Sequence, residues 1–321
     1  MQDNEVRNLS DIVGHSSMLE QMMRSVQAGR IVHALLFVGP HGTGKRTTAR
    51  LFARAMLCTG KSEERPCGIC PACKQFLNGT HPDVKVLAPE KRSIGVEEIR
   101  GLIDYLALRP YEGGRHVAII EQADKMTPSA QNALLKTLES PPGDAAFFLL
   151  TETPSGLLPT IISRCQAVRF NGLTAEQCTE ALRRRGITPE RAARLAELAQ
   201  GSVGRALELD ADEDYAPLRE RVLNSLETLK DAPSIARAAQ LLADDRERSA
   251  AVLETMELVA RDLMQLQNGG SPYEVSDAAR IEALGLNGSR LLEGVLATRI
   301  RLASNVQWIS ALEYMYFGLV G

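Results

Sequence analysis

Residues 39–45, GPHGTGK, have the glycine and lysine spacing that is typical of a phosphate-binding loop. Backbone N–H groups freed by the glycines can wrap an anion, and the lysine adds a positive charge. The residues expected to hold a phosphate are Gly39, Gly42, Gly44 and Lys45. A working loop continues with a hydroxyl residue that binds Mg²⁺, but here Arg46 follows and only then Thr47. Arginine repels Mg²⁺, so we expect ATP or ADP to bind weakly or without Mg²⁺; a glycine turn with no ligand is the alternative.

The segment VAIIEQADKM, residues 117–126, is an apolar strand that ends in polar residues. In nucleotide hydrolases of this kind, a first carboxylate organises Mg²⁺ and a second polarises the attacking water. Glu121 holds the first position, but Gln122 holds the second, and a glutamine cannot accept a proton. Because Arg46 and Gln122 impair the same chemistry independently, the sequence predicts that this site does not hydrolyse ATP.

Four of the six cysteines lie within residues 58–73 in the pattern C-x₈-C-x₂-C-x₂-C. They are Cys58, Cys67, Cys70 and Cys73. Four thiolates suit a tetrahedral Zn²⁺ of structural type, which keeps no open position for catalysis. An iron–sulfur cluster, a redox pair and inert buried thiols are the alternatives. His81 competes weakly as a ligand, whereas Cys165 and Cys178 are isolated and ordinary.

The segment PTIISRC, residues 159–165, places Arg164 just before a predicted strand. An arginine on the rim of a nucleotide-fold domain can reach the triphosphate of a neighbouring subunit as an arginine finger. A lone exposed arginine is more often a solvated charge or part of a weak surface ion pair. The residues alone leave both interpretations open.

Short apolar strands alternate with helices up to about residue 170, which predicts a parallel α/β sheet with helices on both faces. The predicted strands are Leu35–Val38, Val84–Leu87, His116–Ile120, Phe147–Leu150 and Val168–Phe170. The predicted helices are one capped by Ser16 or Ser17, then Lys45–Leu57, Val96–Leu106 and Thr127–Glu139. After residue 171 the chain reads as short helical units punctuated by glycine, and from about residue 215 as all helix.

Composition narrows the classes of function. The chain has 321 residues, enough for two or three domains. Its net charge is −3, so we do not expect it to bind nucleic acid through overall positive charge. Local DNA contacts would use charged surface residues, with Arg92, Arg100 and Arg115 as candidates. The sequence contains no apolar stretch of about eighteen residues, so it predicts no membrane span. The polar, acidic amino terminus does not predict a secretory signal. We expect a cytoplasmic protein.

These motifs together resemble the clamp-loader ATPase family within the AAA+ class. The resemblance rests on DIVGH (11–15), RIVHALLFVGP (30–40), the four cysteines, QNALLKTLESPP (131–142) and PTIISRC (159–165). It covers about the first 210 residues closely. The family's motor subunits have Lys-Thr in the loop and Asp-Glu at the strand end, where this chain has Arg46, Glu121 and Gln122. Arg205 in GSVGRAL also falls one residue later than the motors' lid arginine.

The resemblance implies a nucleotide-fold domain at residues 1–170 with a zinc insert at about 58–80, a helical lid at 171–212, and an all-α collar for oligomerisation at 213–321. It implies a non-hydrolysing stator of the DNA polymerase III holoenzyme that offers Arg164 in trans. The implied partners are the motor subunits gamma and tau, a delta subunit, the sliding clamp and primer–template DNA, with no membrane. An active motor ATPase and a zinc-bearing protein-interaction scaffold are the alternatives.

Overall fold

A computed structural model describes residues 8–30, 32–89, 92–112, 114–211, 215–270, 272 and 277–320. The chain divides into two units, residues 1–206 and 207–321. The boundary predicted between lid and collar, at residues 212 and 213, lies outside the described residues. The division into three domains therefore stays a prediction.

Five parallel strands form the sheet of the first unit, in the order β2-β3-β4-β1-β5. The strands are β1 (Ala34–Val38), β2 (Val84–Leu87), β3 (Val117–Ile120), β4 (Ala146–Thr151) and β5 (Gln166–Arg169). Because all strands run the same way, their carboxyl ends share one edge, where ligands of open α/β sheets bind. The loop after β1 and the residues after β3 therefore lie at the same edge.

Helices connect the strands of the first unit and account for the regular structure after β5 among the described residues. They are α1 (Ser16–Gln27), α2 (Lys45–Leu57), α3 (Pro71–Leu77), α4 (Val96–Ala107), α5 (Pro128–Glu139), α6 (Pro159–Ile162), α7 (Ala175–Arg183), α8 (Pro189–Leu198) and α9 (Val203–Ala211). The later helices are α10 (Tyr215–Thr228), α11 (Ile235–Gln240), α12 (Ser249–Gln267), α13 (Ala278–Ala283), α14 (Gly288–Ala303) and α15 (Trp308–Val320). The predicted α/β fold followed by helices is confirmed.

Side chains of the inner strand β1 alternate between two apolar layers. Leu35 and Phe37 point into a cluster that includes Phe52 of α2. Leu36 points into the opposite cluster, which includes Leu134 of α5. Burying a side chain such as Phe37 contributes about 1.5–3 kcal/mol. The sheet is thus covered by helices on both faces, which holds its carboxyl edge in place.

The start of α1 differs from the prediction. His15, and neither Ser16 nor Ser17, is the residue before the helix, and its side chain makes no capping bond. Gly14 and His15 both have positive φ angles, of 82° and 55°, so a left-handed turn leads directly into the helix. The His15 carbonyl then accepts the Leu19 N–H at 3.0 Å.

Strand β2 is less buried than an apolar run predicts. Among the described residues it pairs with β3 alone, and it forms one edge of the sheet. Lys85 and Val86 are exposed and Val84 and Leu87 are half-buried. Apolar composition predicted the strand correctly but could not predict its place at the edge.

The second unit has a helical core that contains a buried ion-pair network. The Arg219 guanidinium contacts Asp262 at 3.1 Å and Asp277 at 2.8 Å. Ser225 and Tyr316 hydroxyls lie 2.6 Å apart in the same core. Removing one partner of such a buried pair costs about 3–5 kcal/mol, because the other charge stays buried. Over the described part of the chain, no helix is long and apolar enough to cross a membrane.

Candidate functional site

The glycine loop joins β1 to α2 at the carboxyl edge of the sheet, and it contains backbone conformations that suit glycine. Gly44 precedes the helix with φ of 92°, in the left-handed region. Gly39 lies so close to Phe170 that a Cβ added to it would stand 2.1 Å from the Phe170 carbonyl oxygen. The two positions explain why glycine is required, with or without a bound phosphate.

Lys45 is held by the loop itself. Its Nζ donates to the carbonyl oxygens of Gly39 and Pro40, each at 2.6 Å. Burial lowers the pKa of Lys45, and the nearby carboxylates of Glu152 and Asp124 act in the opposite direction. The lysine expected to meet a phosphate is therefore bound within its own loop.

Arg46, which takes the position of the metal-binding hydroxyl, pairs with the carboxylate at the end of β3. Its Nε lies 2.9 Å from Glu121 Oε1, and the two side chains are 55% and 16% exposed. A carboxylate at this position would organise Mg²⁺ in a hydrolase. Here a guanidinium of the chain supplies the positive charge that balances the Glu121 carboxylate.

Further polar residues stand near this edge that sequence reasoning missed. Thr151, the last residue of β4, donates its hydroxyl to Asp124 Oδ1 at 2.6 Å and accepts the Thr153 N–H at 3.1 Å. Gln122, which the sequence had already singled out beside Glu121, has φ of 49°. The available signal for Thr151 was a hydroxyl residue that ends a fully apolar strand next to β1.

A second segment of the first unit closes over the glycine loop. Ser202 Oγ donates to the His41 carbonyl at 2.9 Å, and the Gly204 N–H donates to the Gly42 carbonyl at 3.1 Å. A Cβ on Gly42 would lie 2.2 Å from Ser202 Oγ, and one on Gly204 would lie 2.6 Å from Gly42 Cα. Glycine at both positions therefore permits the contact. The sequence did not predict it.

The four predicted cysteines converge on one point between the end of α2 and the start of α3. Their sulfur atoms all lie within 4.8 Å of one another, and Cys58 Sγ is 3.9 Å from Cys70 Sγ. Backbone N–H groups of Gly60 and Cys67 donate to Cys58 Sγ, at 3.3 and 3.4 Å. The Cys70 and Cys73 N–H groups donate to the preceding sulfur atoms, Cys67 Sγ and Cys70 Sγ, at 3.4 Å each.

The cysteine cluster suits a metal ion because hydrogen bonds to sulfur favour the thiolate form that binds metals. Burial raises the pKa of Cys58 and of Cys73. Burial also raises the pKa of Cys70, but the Cys73 N–H and bonds from Thr59 outweigh it and set that pKa at about 6. The four cysteines can hold a metal ion and are compatible with structural zinc.

The cluster excludes His81, the weak competitor for a ligand place, and the two cysteines predicted to be ordinary. His81 is buried and its Nδ1 accepts the Asp83 N–H at 3.2 Å. Burial raises the pKa of Cys165 to about 11 and raises that of Cys178 as well. These residues do not join the four-sulfur group.

Arg164 follows α6 and is tied down within its own chain. Its Nε donates to Glu139 Oε1 at 2.7 Å, and Nη2 contacts the same oxygen. Its Nη1 donates to the Thr160 carbonyl at 2.9 Å. Sequence reasoning did not predict Glu139 as the partner, although it lies within the quoted QNALLKTLESPP segment.

Of the three arginines considered for DNA contact, two form ion pairs. Arg100 contacts Glu97 at 2.7 Å, and Arg115 contacts Asp144 at 3.2 Å. Arg92 is exposed. These pairs would compete with phosphates for Arg100 and Arg115.

The parallel sheet, the glycine loop after β1 and the carboxylate after β3 define a P-loop nucleotide fold whose metal-binding position is taken by an arginine. Within that class, the profile of the family described as "DNA polymerase III, delta subunit" matches residues 14–174, half of the chain. The chain belongs to this family.

Named relatives agree with this assignment. The DNA polymerase III subunit delta′ of Escherichia coli (strain K12) is 34% identical over 256 residues, covering 78% of this chain and 75% of that protein. The delta′ subunit of Bacillus subtilis (strain 168) is 29% identical over 311 residues, covering 92% and 93%. The tau subunit of Escherichia coli (strain K12) is 31% identical over 257 residues, but the match covers only 40% of tau. The predicted resemblance to clamp-loader subunits is confirmed.

Proposed function

We propose that this chain is a clamp-loader subunit of the delta′ type that does not hydrolyse ATP and works in the cytoplasm within a DNA polymerase III holoenzyme. It assembles with the gamma or tau motor subunits and a delta subunit, and helps them load the sliding clamp onto primer–template DNA. Family membership and the names of the relatives support this proposal. A nucleotide-fold domain, a helical lid and a helical collar, divided near residues 170 and 212, are part of it.

The observation that carries the non-hydrolysing role is the ion pair between Arg46 and Glu121, at 2.9 Å. Phosphoryl transfer needs Mg²⁺ to bridge the phosphates and to neutralise developing charge. An arginine cannot coordinate a cation, and it already engages the carboxylate that would do so. Gln122 adds a second obstacle, because it cannot act as a general base.

The test is ATP hydrolysis by the isolated chain and by the reconstituted complex. We expect no Mg²⁺-dependent turnover by the chain alone, whereas the complex hydrolyses ATP when primed DNA and clamp are present. Turnover by the isolated chain that is lost in Lys45→Ala would identify an active motor. Failure to co-purify with motor, delta and clamp would favour a scaffold unrelated to replication.

The four-cysteine cluster is proposed to hold one Zn²⁺ of structural type through Cys58, Cys67, Cys70 and Cys73. Convergence of four sulfur atoms within 4.8 Å and the four N–H···S bonds support it. Such a site leaves no position for substrate, so its role is to fold the insert at residues 58–80. Metal analysis of the purified chain tests the identity of the ion.

Arg164 is proposed to act in trans as an arginine finger, approaching the γ-phosphate held by an adjacent motor subunit. Its partial exposure of 33% and its position after α6 at the end of a short helical turn support this role. Arginine fingers contribute roughly 10³–10⁵ in rate in related phosphoryl transfers. Arg164→Ala should lower DNA-stimulated hydrolysis and clamp loading while the complex still assembles. The loss should be smaller than that range, because the other ATP sites of the complex stay active.

Arg164→Lys should retain little of the rate that Arg164→Ala loses, because a lysine lacks the planar fork of donors that engages two phosphate oxygens. Unchanged hydrolysis and loading in Arg164→Ala would return this arginine to the role of a surface charge.

The second unit is proposed to supply the oligomerisation surface. Helices α14 and α15 pack together and expose large apolar side chains, with Ile300 70% and Phe317 68% exposed. Arg301 lies over the ring of Tyr314, which is exposed as well, at 3.8 Å. Exposed apolar patches of this kind mark protein interfaces. Ile300→Asp should weaken assembly of the complex, measured by analytical ultracentrifugation, while the same change at the exposed Arg290 should not.

A further inference from the structure

The guanidinium of Arg164 is gripped along one edge by a single carboxylate oxygen. Nε donates to Glu139 Oε1 at 2.7 Å, and Nη2 donates to that oxygen as well. On the other side, Nη1 donates to the Thr160 carbonyl at 2.9 Å and contacts Ser163 Oγ at 3.3 Å. The two contacts with Glu139 and the one with Thr160 leave the plane of the guanidinium little freedom to rotate.

A guanidinium has five N–H donors, and the contacts above do not use all of them. One Nη2 hydrogen has no acceptor among the residues that the structure describes, and a third of the side chain is exposed. The engaged edge therefore faces the chain's own α5, and the remaining donor is available to an outside ligand. This is the arrangement of a donor that is oriented before its ligand arrives.

The backbone of Glu139 is anchored by its helix, while its side chain is half-exposed. Glu139 is the last residue of α5, whose start is capped by the Thr127 side chain and whose Leu134 and Leu138 are buried against the sheet. Arg164 instead follows α6, which is only one turn long. The Glu139 carboxylate thus connects the long, flexible side chain of Arg164 to a helix that is packed against the core.

We infer that Glu139 is a positioning residue for Arg164, holding the guanidinium in the orientation in which its free donor meets a phosphoryl oxygen of the neighbouring subunit. The inference rests on the proposed role of Arg164 in trans. Glu139 touches no substrate, and its effect passes through Arg164 alone. A misplacement of about 1 Å in a reacting group can cost 10²-fold in rate, so loss of orientation should be visible in catalysis.

The experiment compares reconstituted complexes that carry Glu139→Ala, Glu139→Gln, Arg164→Ala or the Ala/Ala double variant, with DNA-stimulated ATP hydrolysis as the readout. Glu139→Ala should remove the larger part of the rate that Arg164→Ala removes, with kcat lowered and KM for ATP unchanged. Glu139→Gln keeps an oxygen acceptor of the same reach and should retain more activity than Glu139→Ala. The double variant should be no slower than Arg164→Ala.

Glu180→Ala is the matched control, because Glu180 forms an exposed ion pair with Arg184 at 2.9 Å elsewhere in the same unit. It should leave hydrolysis unchanged. Suppose that Arg164→Ala slows hydrolysis while the two Glu139 variants leave it unchanged or accelerate it. Positioning by Glu139 is then wrong, and the arginine finger stands. If Arg164→Ala has no effect, both ideas fall. A double variant slower than Arg164→Ala would show that Glu139 acts by another route.

Discussion

The glycine loop and the cysteine cluster are two places in the first unit where the sequence pattern indicates a cation, and they treat that cation differently. At the loop, Arg46 supplies the positive charge from the chain and pairs with Glu121 at 2.9 Å. At the cluster, four sulfur atoms converge within 4.8 Å. The first site carries its own cation, whereas the second still offers a full set of ligands.

The difference teaches what keeps a metal site in use within one domain. A structural ion contributes folding free energy to the segment that binds it, so replacing one ligand unfolds that segment. A catalytic ion contributes to the reaction alone, so under the proposed non-hydrolysing role a side chain can take its position. The glycines of the loop remain because the backbone and the contacts of Gly39 and Gly42 require them.

The largest effect is expected at the cluster. Cys73→Ser should reduce bound Zn²⁺ from about one per chain to near zero, because a tetrahedral site needs all four ligands. Structural zinc contributes roughly 10–16 kcal/mol in isolated zinc-finger peptides, so the insert at residues 58–80 should open while the sheet stays folded. Metal analysis and hydrogen exchange measure the two effects.

The buried Cys178 lies outside the cluster, so Cys178→Ser is the control and should keep its metal. Wild-type chain that contains no metal after exposure to Zn²⁺, with its four thiols freely reactive, would contradict the zinc assignment.

A smaller effect is expected when the loop is changed towards a metal-binding one. Arg46→Thr combined with Gln122→Glu removes the guanidinium and restores both polar groups. ATP should then bind about tenfold more tightly with Mg²⁺ than with a chelator, a difference of about 1.4 kcal/mol. The wild type should show no such preference in calorimetric titrations.

Gln122→Glu alone retains Arg46 and should behave like the wild type. If it gains the Mg²⁺ preference by itself, the ion pair with Glu121 is not what excludes the metal. Hydrolysis should stay absent in both variants, since Arg205 remains displaced from the lid position of the motors.

The ion pair itself should contribute little to stability. Arg46 is more than half exposed, and exposed pairs contribute about 0–1 kcal/mol. Arg46→Ala should therefore lower the free energy of unfolding by less than about 1 kcal/mol in urea titrations. Arg100→Ala, which removes a more exposed pair with Glu97, should change the free energy of unfolding less still. A large loss in Arg46→Ala would show that the pair has a structural role comparable to that of the cysteine cluster.

The smallest effect concerns pH. Burial lowers the pKa of Lys45 below its ordinary value of 10.5, so the unfolded chain binds this proton more tightly than the folded chain. Folding stability then rises with pH from the lowered pKa up to 10.5. The difference in unfolding free energy between wild type and Lys45→Met should shift in favour of the wild type as the pH rises towards 10.5. A constant or falling difference would contradict the burial of a charged lysine.

Local patterns in the sequence predicted the parts of the molecule that depend on neighbouring residues. The cysteine cluster was predictable because its four ligands lie within one short segment, and the strands because each is a short apolar run. The start of α5 was predicted for the same reason: Thr127, the first residue of the predicted helix, caps it by accepting the Ala130 N–H at 3.3 Å. Whether the cluster holds zinc stays a prediction.

Contacts between distant segments could not be predicted in this way. Arg46 and Glu121 meet only because the sheet order brings the carboxyl ends of β1 and β3 to one edge, with β4 between them. The contacts of Ser202 and Gly204 with the glycine loop depend on the path of the chain after β5. Glu139 was visible as part of a family segment, but nothing in its spacing indicated Arg164.

The order of the strands has a consequence for the protein as it is synthesised. β1 is the first strand of the sheet to be synthesised, and the glycine loop follows it directly. Its two neighbours in the sheet, β4 and β5, begin only at residues 146 and 166. At about 5–20 residues per second, a ribosome needs on the order of ten seconds or more to reach them. During that time β1 has an apolar surface and two unpaired edges, so the nascent chain is most prone to mispairing before the sheet that supports the loop exists.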